Sequence, residues 1–148
     1  MKKRHKPWRV IPFIAMGFWL LLSFIQPTTV MAGDISYPEK LAHFKTYLGE
    51  LKKGQPEVIN AFYELHHASV KPGALDTKVK ELIGLAIAVA VRCDPCIAAH
   101  TNSALKAGAT AAEIMETLSV SILMGGGPAI GYATHAMEAM EQFKKTEK

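Results

Sequence analysis

From Tyr37 onward, apolar residues recur at intervals of three and four rather than two. Leu41, Phe44, Leu48 and Leu51 share one face of a first segment, and Val58, Ile59, Phe62 and Leu65 share one face of a second. That period belongs to amphipathic helices. Gly54 is placed to end the first in a left-handed conformation, and Pro56 suits the first turn of the second, where its missing N–H is not needed. A third helix is predicted from Asp76 or Thr77 to about Val91, with Val79, Leu82, Ile83, Ala86, Ile87 and Ala90 on one face. Leu85, Ala88 and Val89 make its other faces apolar as well, so it must be covered on all sides, by its own domain or by another subunit. Glu81 is its conspicuous charge.

The fourth helix begins at the cysteines, with Asp94 as cap and Pro95 at the first helical position, and ends at Gly108. Thr110-Ala-Ala-Glu113 is a capping box that opens a fifth, whose apolar face uses Ile114, Leu118, Ser121 and Ile122. Gly125-Gly-Gly-Pro128 breaks the chain before a last helix with Ile130, Ala133, Met137 and Met140. Nothing reads as a strand. The pattern predicts an all-α bundle of about six helices in one domain.

The N-terminus departs from this pattern. Lys2, Lys3, Arg4, Lys6 and Arg9 precede an apolar stretch from Val10 to Ile25, and Val30 and Ala32 fit the small-residue positions before a cleavage between Ala32 and Gly33. This is the layout of a secretory signal segment, residues 1–32, ahead of a mature domain at residues 33–148. An uncleaved anchor over residues 10–25 is the competing reading, although that stretch is interrupted by Pro12 and falls short of the about 20 residues that span a bilayer comfortably. Both readings place the domain outside the cytoplasm, as a periplasmic or extracellular protein.

Charge changes the picture in one respect. The whole chain has 17 Lys and Arg against 13 Asp and Glu, but five of the basic residues and none of the acids lie in residues 1–32. The remainder carries 12 basic and 13 acidic residues, so a basic surface for nucleic acid has no support.

The candidate chemistry lies in Cys93-Asp-Pro-Cys96, the only two cysteines of the chain, followed by His100. A cysteine in the first turn of a helix meets unpaired N–H groups and the positive end of the helix dipole, and both favour the thiolate. Cys96 stands there. Its thiolate would react with peroxides or disulfides, Cys93 three residues away could condense with the resulting sulfenic acid, and His100 on the same helical face could take or return a proton. Other readings remain open on the residues alone. The pair could form a structural disulfide, though one closing so short a loop is a weak staple. Cys93, Cys96 and His100 could contribute to a zinc site, but no fourth ligand is evident nearby. Covalent c-type haem is excluded because Ile97 stands where that motif requires His. Glu81 could simply favour its own helix N-terminus. His66, His67 and His135 receive no role, and His43 has no case.

Glu81, eleven intervening residues, then Cys93-x-x-Cys96-x-x-x-His100 resembles the AhpD-like alkylhydroperoxidases of the carboxymuconolactone decarboxylase family. The flanking runs Lys80-Glu-Leu-Ile-Gly-Leu-Ala-Ile-Ala-Val-Ala90 and Ala104-Leu-Lys-Ala-Gly-Ala-Thr-Ala-Ala-Glu-Ile-Met-Glu-Thr-Leu118 look like that family's core, so the likeness spans roughly residues 75–124. The resemblance implies an all-helical subunit in a trimer or larger homo-oligomer and a peroxiredoxin-type oxidoreductase without metal or cofactor. Its substrate would be a hydroperoxide, and a thiol or disulfide electron donor yet to be identified would recharge the cysteine pair. It also implies that Cys96 is the peroxidatic cysteine, Cys93 the resolving one, and Glu81 and His100 members of a proton relay. Pro95 occupies the position where the family's best-known pattern has a further His. The alternatives are a non-redox decarboxylase of the type that gives the family its name, and a non-enzymatic helical oligomer with a structural disulfide. Continuous helix would put Glu81 roughly 18 Å from Cys93. The relay therefore requires a break before Cys93, packing of the fourth helix back along the third, or a neighbouring subunit.

Overall fold

Each helix begins where the sequence supplies a partner for its first N–H groups or dispenses with one. The computed structural model describes residues 36–146. They form α1 (Tyr37–Gly54), α2 (Pro56–Val70), α3 (Thr77–Ala90), α4 (Asp94–Lys106), α5 (Ala111–Gly125) and α6 (Gly127–Thr146), with no strand among the described residues. The fold is all-α. The signal or anchor segment read at residues 1–32 lies outside the described residues.

Ser36 and Thr110 each open a helix through a capping box. Their hydroxyls accept from the N–H of Glu39 and Glu113, whose carboxylates accept from the cap N–H in return. Asp76 caps α3 by accepting from the Val79 N–H at 2.8 Å. The end of α1 differs from the sequence expectation, because Gly54 is still helical and the chain turns at Gln55 with φ −137°. A single residue joins α1 to α2 there, and Pro56 keeps the residue before it out of the helical region, with ψ 61° at negative φ, so no left-handed glycine is needed. Left-handed glycines do occur at Gly108 (φ 86°), just past α4, and at Gly126 (φ 66°), between α5 and α6.

Helices α3 to α6 enclose the core, with α1 laid against α4 and α6 and with α2 the least engaged. Leu85, Ala88 and Val89 of α3 meet Ile97, Ala98 and Ala104 of α4, Ile114 and Leu118 of α5, and an alanine row on α6: Ala129, Ala133, Ala136 and Ala139. Small residues on α6 let its neighbours approach closely. The buried face of α3 is Glu81, Leu85, Ala88 and Val89, not the face predicted from the sequence, and Ile83 and Ile87 are exposed. A helix apolar on every side has no preferred direction of its own, so its orientation is fixed by its neighbours. The predicted faces of α1 and α2 are covered only in part: Leu41 and Ile59 are buried, while Phe44, Leu51, Val58, Phe62 and Leu65 are exposed. On α6, Ala133 and Met140 are buried as expected but Ile130 is exposed.

Helix α3 is tied to α5 by Lys78 Nζ, 2.6 Å from Glu113 Oε1. That bond, followed by those from the Thr110 N–H and hydroxyl, lowers the Glu113 pKa from 4.5 to about 2. A carboxylate whose pKa is depressed by folding stabilises the native state above its unfolded value, and that contribution is lost as the pH falls through the folded value. Glu113→Gln is therefore expected to flatten the acid limb of a Tm-against-pH curve between about pH 4.5 and about pH 2. Thermal denaturation followed by circular dichroism tests this, and parallel curves for the two proteins would refute it.

Candidate active site

The turn from α3 to α4 sets up everything that follows. Arg92 N–H donates to Val89 O at 3.2 Å and Cys93 N–H to Ala88 O at 2.9 Å, the paired bonds of a Schellman helix end. The left-handed position is filled by Arg92 (φ 63°) rather than by glycine, a choice that costs roughly 1–2 kcal/mol. The chain reverses there, and α4 packs back along α3. Of the routes considered for joining Glu81 to the cysteine helix, this is the one observed.

The reversal brings Glu81 and His100 together, with His100 Nδ1 2.8 Å from Glu81 Oε2. Glu81 is only 3% exposed, whereas the His100 side chain retains access at 26%. With Glu81 ionised, Nδ1 carries the proton and donates, and Nε2 on the opposite edge of the ring is left as the basic nitrogen. The ring fits because residue 84 is glycine: a Cβ there would lie 2.7 Å from His100 Cε1 and Nδ1.

Cys93 and Cys96 are joined in a disulfide, with their Cα atoms 5.2 Å apart. Cys93 is the N-cap of α4 and Cys96 lies in its first turn, half-buried against the core. His100 is one turn further along, on the same face as Cys96. The cysteines are thus joined to each other and Glu81 to His100, and the two pairs are linked by helix register rather than by a hydrogen bond.

Asp94 does not cap α4 as expected. It is the first helical residue, and its carboxylate turns away to accept from Tyr37 Oη and His135 Nδ1, each at 2.9 Å, with Lys40 Nζ 3.5 Å from its other oxygen. Burial raises the Asp94 pKa, but the bonds from His135 and Tyr37 and the charge of Lys40 outweigh it, leaving the group below its ordinary 3.8.

Two cavities flank this region. One, of about 390 Å³, is lined by Phe62, Leu65, His66, Ser69 and Val70 of α2, Lys80, Ile83, Gly84 and Ile87 of α3, and His100. Its walls are largely apolar, and His66 stacks on His100 with ring centroids 6.4 Å apart and planes inclined by 29°. The other, also about 390 Å³, is bounded by Lys40, His43, Phe44, Tyr47, Asp94 and Pro95. Sequence reasoning assigned nothing to His66, His135 or His43. All three lie far from the cysteines along the chain, and no spacing signal connects them to the pair.

Residues 56–139 match the model of the carboxymuconolactone decarboxylase family, a span that covers α2 to α5 and most of α6. The chain belongs to this family. An uncharacterised protein of Cupriavidus necator is 39% identical over 98 residues, which cover 66% of this chain and 87% of that protein. Among solved structures, the apo form of a carboxymuconolactone decarboxylase family protein from Legionella pneumophila superposes with a TM-score of 0.70 at 42% identity, over 72% of this chain and 96% of that one. A family member from Thermotoga maritima, for which a part in an antioxidative response has been suggested, gives a TM-score of 0.67 at 31% identity, over 73% and 92% of the two chains.

The seat of His100 leads to a direct test in this family member. Gly84→Ala adds a favourable helix residue, worth up to about 1 kcal/mol, yet places a methyl against the imidazole. The variant should release His100 from Glu81 and fold with a lower net stability than the parent, since the buried carboxylate loses that partner. Long-range 15N–1H NMR correlations of the imidazole are expected to report the Nδ1–H tautomer in the parent and a mixture in the variant; identical spectra would contradict this account.

Proposed function

We propose that this family member is a thiol-dependent peroxidase acting through Cys96 and Cys93. The observation that carries the reading is a cysteine pair at a helix N-terminus, one turn from a histidine held by a buried carboxylate. In the reduced protein the Cys96 thiolate attacks the terminal oxygen of a hydroperoxide. The O–O bond breaks, the departing alkoxide takes the proton that His100 Nε2 had accepted from the Cys96 thiol, directly or through water, and Cys96 becomes a sulfenic acid. Cys93 then displaces that oxygen as water and closes the disulfide seen here. Two electrons from an external dithiol, with two protons, restore the pair. Glu81 holds the imidazole in the tautomer that presents Nε2, and the groove beside His100 supplies apolar walls for the organic part of the peroxide.

With dithiothreitol as donor, Cys96→Ser should abolish peroxide consumption, whereas pre-reduced Cys93→Ser given peroxide after the thiol is removed should complete one turnover and stop as a sulfenic acid detectable by dimedone labelling. Glu81→Gln should lower the rate by about a hundredfold, the lower end of what general acid–base catalysis contributes. Unchanged turnover in Cys96→Ser would overturn the reading. A reduction potential below about −300 mV would instead favour a structural bond.

We further propose that the domain is exported and works as a homo-oligomer, a trimer or a multiple of one. The signal-like residues 1–32 support the first. The exposed apolar side chains of α2, α3 and α5 support the second, Leu123 and Met124 being 79% and 78% exposed. Native mass spectrometry of protein recovered from the extracytoplasmic fraction tests both at once. The expected species starts at Gly33 and contains three subunits or a multiple of three; a monomer, or an intact N-terminus without membrane attachment, would refute the corresponding part.

A further inference from the structure

Asp94 stands between the two cysteines, and it is where α1 and α6 grip the start of α4. Three groups from those helices converge on one carboxylate. Tyr37 Oη and His135 Nδ1 both donate to Oδ1 at 2.9 Å, and Lys40 Nζ lies 3.5 Å from Oδ2. The partners are themselves held. Tyr37 is 1% exposed, so its hydroxyl is delivered from the core, and Lys40 lies 4.4 Å from the Tyr37 ring centroid. His135 is flanked by the rings of Tyr132 and Tyr37, at 5.2 and 6.4 Å between centroids. A carboxylate serving only the helix dipole would need none of these partners, since water and the first N–H groups suffice.

The position of this charge has a chemical consequence. Asp94 follows Cys93 directly in the chain and precedes Cys96 by two residues, and at such range a carboxylate disfavours a thiolate while the cation paired with it favours one. We propose that Asp94 is a positioning residue for the cysteine pair: its clamp fixes the first turn of α4, and the balance between Asp94 and Lys40 sets the acidity of the reduced thiols. This rests on the dithiol–disulfide reading only in requiring that the pair be reducible. The titratable and charged groups around this turn include Tyr37, Lys40, His43 and Tyr47 of α1, Tyr132 and His135 of α6, Glu81 of α3 with its partner His100, and Arg92 of the connecting turn. Lys40 and Asp94 are the pair that one substitution each can neutralise without touching the Glu81–His100 bond.

The test is the pH dependence of iodoacetamide alkylation of each cysteine in the reduced full chain, followed by mass spectrometry. Asp94→Asn removes the negative charge at nearly constant shape and should raise the thiolate fraction at pH 7 by about threefold, the scale of one screened charge near the surface. Lys40→Gln should lower it by a similar factor, and Lys40→Arg should restore the parent value. The opposite signs are the signature, because a clamp with a purely structural role would move both variants in the same direction. Shifts of the same sign, or none in either variant, overturn the proposal. Should Asp94→Asn fail to fold, Lys40→Glu at a partly exposed position must shift the thiols further than Lys40→Gln in the same sense, and failure to do so has the same force. Opposite shifts alongside unaltered peroxide turnover in Cys96→Ser would leave this inference standing and remove the peroxidase reading. Absent shifts with turnover lost in Cys96→Ser would do the reverse.

Discussion

Burying the Glu81 carboxylate commits this fold to placing a donor beside it, since an unpaired charge in an apolar interior is strongly destabilising. The donor is His100, on the next helix and nineteen residues away. For the two to meet, α3 must stop, the chain must reverse within the Val91–Arg92 turn, and α4 must return along α3 in a register that sets His100 against Gly84. The same register places Leu85, Ala88 and Val89 against Ile97, Ala98 and Ala104. The polar contact and the apolar core therefore specify one arrangement between them. Displacing His100 from Glu81 would leave the carboxylate without that donor in the interior.

The start of α4 is consequently served from two sides. On one side Glu81 of α3 holds His100, one turn further along α4, and His100 lines the groove beneath α2. On the other, Tyr37, Lys40 and His135 reach the helix start from α1 and α6 through Asp94. Hydrogen bonds to the backbone, a helix dipole and a clamped carboxylate act on the first turn of α4, and a buried acid acts on the next.

Local chemistry was legible in the sequence, and tertiary direction was not. The capping box at Thr110 and Glu113, the stop of α4 at Gly108 and the break before α6 are decided by residues within a few positions of one another. The six helices could be read for that reason. The cysteine pair and its distance along the chain from Glu81 and His100 were equally readable. The buried face of α3 was not, because hydrophobicity on every side leaves the choice to its neighbours. Asp94 was misread as a cap for a related reason: an aspartate beside a helix start suits that role, and only the packing of α1 and α6 reveals other donors. His66 and His135 could be found only once helices distant in sequence were in place.

The Schellman turn has one more consequence, for what a change of oxidation state can do to the chain. Cys93 donates its N–H to Ala88 and accepts from Ile97 at its carbonyl, both at 2.9 Å. Neither bond involves sulfur. Opening or closing the disulfide is thereby confined to rotation about side-chain bonds, and the backbone bearing both sulfurs stays anchored between two helices. A thiol released there remains within a side-chain rotation of its partner, so the effective concentration of one sulfur for the other is built into the main chain.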